Sequence, residues 1–194
     1  MSRPVSWWWV RHGPTHAENM VGWRDLPADL SDHAALSRLS DHLPDEAALV
    51  SSDLSRAVET ADAIAAMRTR LAHQKTLREF DFGDWDGLHW DEVATRDPDL
   101  SRAFWEDPGD HLAPNGESWN QLSARVSDTV DVINSSDHRH VIAVAHFGVI
   151  LTQIARAGNM TAYAALGHKI DNLSVTRLDW DGDRWSIHSI NHQP

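Results

Sequence analysis

The chain has 194 residues, 41% hydrophobic and 24% charged, with a formal net charge of −12 and no cysteine. That length suits one soluble domain with a real core, at most with an added flap. The missing thiols exclude disulfides, thiolate metal sites and a cysteine nucleophile. The acidic balance opposes nucleic-acid binding, and no apolar run approaches the roughly 18 residues needed to cross a bilayer.

The predicted elements alternate between strand and helix. Residues 7–10 are short and continuously apolar, which reads as a buried strand rather than as part of a secretory signal. Residues 33–42 suit a helix, and Ala48-Leu49-Val50 a second short strand. A helix is expected from Ser52-Asp53 to about Met67, with Leu54, Ala57, Val58, Ala61 and Ala65 on one face and the serine or aspartate as its cap. Another runs over 117–134, placing Leu122, Val126, Val130 and Ile133 together. Residues 141–145 form a central strand, followed by a helix over Gly148 to Arg156. Ser174 to Trp180 and Arg184 to Ile190 flank Asp181-Gly182 and predict a hairpin. The pattern is that of an α/β protein, a three-layer sandwich around a mostly parallel sheet. One domain over 1–194 is expected. Residues 88–116, with Trp90, Phe104, Trp105 and three prolines, form a lid-like insertion of one or two short helices over the site.

Two apolar strands each end in a histidine. The first runs into Arg11-His12-Gly13, the second into His146-Phe147-Gly148. Open parallel sheets bind ligands outside the carboxyl ends of their strands. Arginine offers a planar fork of donors to an anion, histidine a nucleophile or base, and glycine a sharp turn close to a ligand. Arg56 falls in the first turn of the second helix, where the helix N-terminus also favours an anion. The competing reading is a solvated Arg56 paired with Asp53 or Glu59. In Leu77-Arg78-Glu79-Phe80-Asp81-Phe82-Gly83-Asp84-Trp85-Asp86-Gly87 several carboxylates lie among aromatic rings, a setting that raises a carboxyl pKa and suits a proton donor. The competing reading there is an acidic surface loop.

Taken in order, Arg-His-Gly, Ser-Asp-Leu-Ser-Arg-Ala-Val-Glu-Thr-Ala, Leu-Arg-Glu-x-Asp-Phe-Gly-x-Trp-x-Gly, Gly-Glu-Ser and Val-Ala-His resemble the histidine phosphatase superfamily. This is the phosphoglycerate-mutase-like group, in particular its small phosphatase branch. The resemblance covers nearly the whole chain. It implies a phosphomonoesterase in which His12 carries a phosphohistidine. Arg11, Arg56 and His146 hold the phosphoryl oxygens, and Glu79 protonates the leaving oxygen and then helps activate water. Asp81 is the fallback donor, and Thr15 and Asn19 contact the phosphate or orient the nucleophile. The chemistry implied needs no metal and no cofactor. The implied partner is a small phosphorylated metabolite, with no nucleic acid and no membrane, and a homodimer is compatible with the chain. A chain without cysteine fits the reducing cytoplasm.

The chain departs from the family pattern at Pro14, which stiffens the loop after His12, and at Phe147, whose bulk narrows the pocket and adds a substrate contact. The segment around Arg24 matches the family only loosely. A cofactor-dependent phosphoglycerate mutase is the second expectation, ranked lower because residues 88–116 contribute only Arg96 and Arg102 as bases. A phosphate-binding module without turnover is the third. The thirteen histidines suggest no metal, since Gly13-Pro14 keeps His12 and His16 off a shared helix face. His138 and His140 are expected to be solvated. Asp179-Trp180-Asp181-Gly182-Asp183 lacks the glycine and acid positions of a calcium loop. Trp90, Trp105 and Trp119 could border an apolar entrance, although packing is the expected role of each.

Overall fold

Three consecutive tryptophans sit at the centre of the molecule. In the computed structural model, which describes residues 3–194, they lie on β1 (Val5–Arg11). A strand turns successive side chains to opposite faces. Trp7 and Trp9 therefore share one face, buried and stacked with ring centroids 5.2 Å apart, while Trp8 packs on the other. Trp7 Nε1 donates to Asn134 Oδ1 at 2.8 Å, which supplies the buried indole with its partner.

The remaining strands are β2 (Ala48–Ser51), β3 (Thr69–Arg70), β4 (His140–Ala145), β5 (Val175–Trp180) and β6 (Trp185–His192), in the sheet order β3-β2-β4-β1-β5-β6. β1, β2, β3 and β4 pair in parallel, and β5 is antiparallel to both of its neighbours. The sheet is thus mixed, with only β5 running against the rest. The helices are α1 (His33–His42), α2 (Ser55–Ala63), α3 (Trp90–Arg96), α4 (Pro98–Glu106), α5 (Trp119–Asn134), α6 (Phe147–Gly158) and α7 (Ala162–Leu166).

Strand alternation divides the core in two. On one face Val10, Ile142 and Val144 meet Leu36 and Leu39 of α1 and Ala57 and Ala61 of α2. On the other, Trp7, Trp9, Val141 and Ala143 meet Leu122, Val126 and Val130 of α5 and Val149, Ile150 and Ile154 of α6. The result is the expected three-layer α/β sandwich. Each fully buried leucine or valine contributes about 1.5–3 kcal/mol. Val93 and Phe104 anchor α3 and α4 to the second face. Among the described residues no helix is long and apolar enough to cross a membrane.

Several expectations need correction. The second helix runs over Ser55–Ala63 rather than from Ser52-Asp53 to Met67. Neither Ser52 nor Asp53 caps it, because the Asp53 carboxylate accepts two 2.7 Å hydrogen bonds from Arg78. Asp25 takes the end instead, accepting from Ser55 N and Ser55 Oγ at 2.7 Å each. Ala66, at φ 44°, lies past the helix in a left-handed conformation that an α-helix cannot continue through. Trp119, by contrast, is buried in the core beside Phe80, the packing role expected of it. His140 is half-buried, with its ring near Trp8, rather than solvated. Two-residue β3 and five-residue α7 were not expected. The hairpin closes as expected: Gly182 has φ 108°, and Asp181 Oδ1 accepts from Asp183 N and Arg184 N.

Candidate active site

Parallel register brings the two histidines together. β1 and β4 are neighbours with Arg11 opposite Ala145, so the next residue of each strand, His12 and His146, emerges at the same edge. Their ring centroids lie 5.1 Å apart. This edge is the carboxyl end of the sheet, beside the place where β4 inserts between β1 and β2.

His12 is buried. Its Nδ1 lies 2.6 Å from the Gly13 carbonyl oxygen, which can only accept, so Nδ1 carries the hydrogen and Nε2 presents a lone pair. Arg56 Nε donates to Nε2 at 3.3 Å. Burial, reinforced by the Arg56 and Arg11 cations, lowers the His12 pKa to about 3, so the ring is neutral at any ordinary pH. His146 is fully buried, and neither of its ring nitrogens has a hydrogen-bond partner among the described residues. Burial, then Arg56, holds its pKa well below the usual value.

Arg56 is also fully buried, and it pairs with neither Asp53 nor Glu59. Asp53 is held by Arg78, and Glu59 accepts from Ala28 N. Arg56 Nη1 instead donates to Arg24 O at 2.9 Å and Nη2 to Gly22 O at 2.7 Å. Carbonyl oxygens fix the guanidinium without neutralising it, which leaves its charge available to an anion. Arg11 Nη1 donates to Ile170 O at 2.6 Å, while its buried Nε lacks a partner among the described residues. An unsatisfied buried polar group costs about 1–3 kcal/mol, so His146 and Arg11 together carry a debt that a bound anion would relieve.

Glu79 is the carboxylic acid of the site. It is buried, and its Oε1 accepts from Phe80 N and Gly148 N at 3.0 Å each. Burial raises its pKa, opposed by those backbone donors and by Arg56 and Arg11, so it keeps its proton to higher pH than an ordinary glutamate. Asp81 is not at the cavity, because its carboxylate accepts from Gly83 N and closes the next turn. Arg125 of α5 grips the segment that carries Glu79. It donates to the carbonyls of Thr76, Arg78 and Glu79 at 2.7–2.8 Å and pairs with Glu117. Glu117 in turn accepts from Asp81 N, and Trp23 Nε1 donates to Glu79 O.

Four of these groups line a cavity of about 270 Å³. Arg11, His12, Arg56 and Glu79 form its polar floor, Thr15 and Asn19 add neutral polar atoms, and Phe82, Trp90, Trp105 and Phe147 form an aromatic wall. Two arginines and two imidazoles beside a protonatable carboxyl can hold a phosphoryl group, accept it and protonate what leaves.

The histidine phosphatase superfamily (branch 1) profile matches residues 7–193. The chain belongs to that superfamily. Membership makes it a phosphatase-type enzyme. A phosphoglycerate mutase-like protein of Arabidopsis thaliana, number 4 of its series, is 33% identical over 190 residues, covering 92% of this chain and 81% of that one. An adenosylcobalamin/alpha-ribazole phosphatase of Salmonella typhimurium is 31% identical, covering 83% of each. The solved structure of a mycobacterial glucosyl-3-phosphoglycerate phosphatase superposes with a TM-score of 0.78 at 27% identity, over 98% of this chain and 100% of that one.

The five residues expected to carry the chemistry converge at one sheet edge: Arg11, His12, Arg56 and Glu79 line the cavity with Thr15, Asn19 and Phe147, and His146 lies buried behind His12. The Arg11 guanidinium lies 5.7 Å from the Phe147 ring centroid, and Asn19 Nδ2 donates to Gly87 O. Trp90 and Trp105 also line the cavity, so packing alone does not describe them. Residues not singled out from the sequence act through the backbone. Thr60 Oγ1 accepts from Gly13 N at 2.9 Å, and Asn172 Nδ2 donates to His12 O at 2.8 Å. Thr60 lies within the motif that contains Arg56 and Glu117 within Gly-Glu-Ser, so the motifs held a signal for both. Nothing in the sequence pointed to Asn172 or Arg125.

Proposed function

We propose that this chain hydrolyses a small phosphomonoester by passing its phosphoryl group through His12. The carrying observation is the buried, neutral His12 Nε2 held by Arg56, 5.1 Å ring to ring from a histidine whose nitrogens are unpartnered among the described residues. In the first step the Nε2 lone pair forms a bond to phosphorus as the ester P–O bond breaks. The Glu79 carboxyl gives its proton to the departing oxygen. The ring becomes formally cationic, and the Gly13 carbonyl on Nδ1–H offsets that charge. In the second step the Glu79 carboxylate takes a proton from water, the water oxygen bonds to phosphorus and the P–N bond breaks. Phosphate leaves, and His12 returns neutral. Arg11 and Arg56 balance the charge on the phosphoryl oxygens throughout, and neutral His146 offers them an N–H.

The relatives named as phosphatases support hydrolysis over isomerisation. So does the cavity lining, which offers no arginine or lysine beyond Arg11 and Arg56 to hold a second phosphate. The cysteine-free composition supports a cytoplasmic setting. The test is hydrolysis of p-nitrophenyl phosphate and small sugar phosphates by the purified protein beside His12→Ala. Loss of turnover in the variant is expected, and equal rates would reject the mechanism. Isomerisation of 3-phosphoglycerate that depends on a bisphosphate primer would favour the mutase instead.

A further inference from the structure

The outer part of the cavity has no part in the chemistry at His12. Its lining is mostly aromatic and apolar, Phe82, Trp90, Trp105 and Phe147 with Met20 and Val21, and its polar residues, Thr15 and Asn19, are uncharged. Both arginines of the lining, Arg11 and Arg56, belong to the polar floor, and no lysine joins them. Arg96 of α3 is tied to Asp84 and Asp97.

Trp90 stands apart from the rest of this wall. It is the first residue of α3 and remains 61% exposed while lining the cavity. Packing explains a buried indole. It does not explain an indole left largely in water beside an anion-binding floor. Exposed aromatic surface continuous with a polar site is what a ligand covers.

Resting on the phosphohistidine reading, we infer that this wall is the leaving-group subsite and that it selects an uncharged alcohol bearing an aromatic ring. Trp90, Trp105 and Phe147 are its specificity-determining residues. A leaving group with a carboxylate or a second phosphate would bring its charge against ring faces, whose quadrupole repels anions, with no cation to replace lost water. The overall charge of −12 adds to that penalty. A cavity of about 270 Å³ lies just below the roughly 300–1,000 Å³ of ligand sites and suits one ring system on a short linker.

The experiment compares kcat/KM for 2-phenylethyl phosphate, glycerol 1-phosphate and 3-phosphoglycerate. All three are primary alkyl esters, so differences in leaving-group acidity stay small. The expected order puts the phenylethyl ester at least tenfold above glycerol 1-phosphate and about a hundredfold above 3-phosphoglycerate. In Trp90→Ala, a mostly exposed position whose loss leaves the core intact, the phenylethyl-to-glycerol ratio falls toward one. Competition by phenylethylphosphonate and methylphosphonate reads the subsite without turnover, with the aryl compound expected to bind about tenfold tighter. Equal binding of the two phosphonates, a preference for 3-phosphoglycerate, or a Trp90→Ala ratio unchanged from the parent overturns the subsite even if His12-dependent hydrolysis persists. Tighter binding of the aryl phosphonate without hydrolysis of any ester keeps the subsite and rejects the phosphatase mechanism.

Discussion

The floor and the wall of the cavity are built on different principles. The floor draws Arg11, His12, Arg56 and Glu79 from three separate stretches of chain, and a fourth places buried His146 beside His12. The Arg11, His12, Arg56 and Glu79 side chains are locked by backbone groups: Gly13 O, Gly22 O, Arg24 O, Gly148 N and Ile170 O. The aromatic wall comes mainly from one continuous stretch, Phe82 to Trp105, and its foremost residue is mostly in water. Phosphoryl transfer demands fixed charge and geometry, whereas a leaving group needs only complementary surface. Change is therefore costly at the floor and cheap at Trp90, the exposed part of the wall.

Breaking the floor should produce the largest effects. His12→Ala removes the phosphoryl acceptor and should lower kcat by about 10⁴-fold or more, read by steady-state hydrolysis. Rapid acid-labile labelling of the parent from a radioactive ester should vanish in the same variant. Glu79→Gln should cost about 10²–10⁴-fold on alkyl phosphates. It should cost far less on p-nitrophenyl phosphate, whose departing oxygen needs no proton. A uniform loss on both substrates would remove Glu79 from the donor role.

The pH profile tests the same carboxyl. Glu79 is raised by burial, so the parent rate on alkyl esters should fall as pH rises through that elevated value. His12, lowered to about 3, should leave the acid side of kcat/KM flat through ordinary mildly acidic pH. For stability the signs oppose each other. The folded state binds more protons at Glu79, so that contribution weakens as pH rises above the ordinary glutamate range. It binds fewer at His12, so that contribution weakens as pH falls from about 6.5 toward 3. Glu79→Gln should accordingly raise Tm at pH 8 while slowing turnover of alkyl esters, and a lowered Tm there would contradict the burial argument.

Smaller effects sharpen the contrast. Arg56→Ala should lower kcat by about 10²–10³-fold through lost charge stabilisation. Gly148→Ala places a Cβ 2.6 Å from Glu79 Oε1 and 2.5 Å from the Phe80 ring. It should cost about 1–3 kcal/mol of stability by overpacking, read from denaturant melts, with activity falling as Glu79 shifts. At the wall, Trp90→Ala should change stability by no more than about 0.5 kcal/mol. Trp85→Ala, at a fully buried neighbour, should cost about 3–5 kcal/mol. A large loss from Trp90→Ala would mean that Trp90 itself packs as part of the core.

Much of this was legible before any coordinates. Local signals found β1, α1, β2, α5, β4 and the hairpin: short apolar runs marked the three strands, helical spacing marked α5, and the Asp181-Gly182 turn marked the hairpin. The motif order named the five floor residues because their chemistry constrains residue type. The helix around Arg56 was read too long and with the wrong cap. Local rules favoured Ser52 and Asp53, but Arg78 holds Asp53 and Asp25, thirty residues from Ser55, takes the helix end. Arg56 itself could have been a solvated surface arginine. Nothing local announces that its donors will meet the carbonyls of Gly22 and Arg24.

By itself, then, the chain determined its layers and which residues are proposed to react, since both follow from side-chain pattern and type over a few neighbouring residues. Only the tertiary structure decided which carboxyl faces the cavity, which nitrogen of His12 is free, and that Trp90 stands in water while Trp119 is buried. Those outcomes depend on backbone groups and packing partners distant in sequence, and long-range contacts leave no periodic trace in the residues they join.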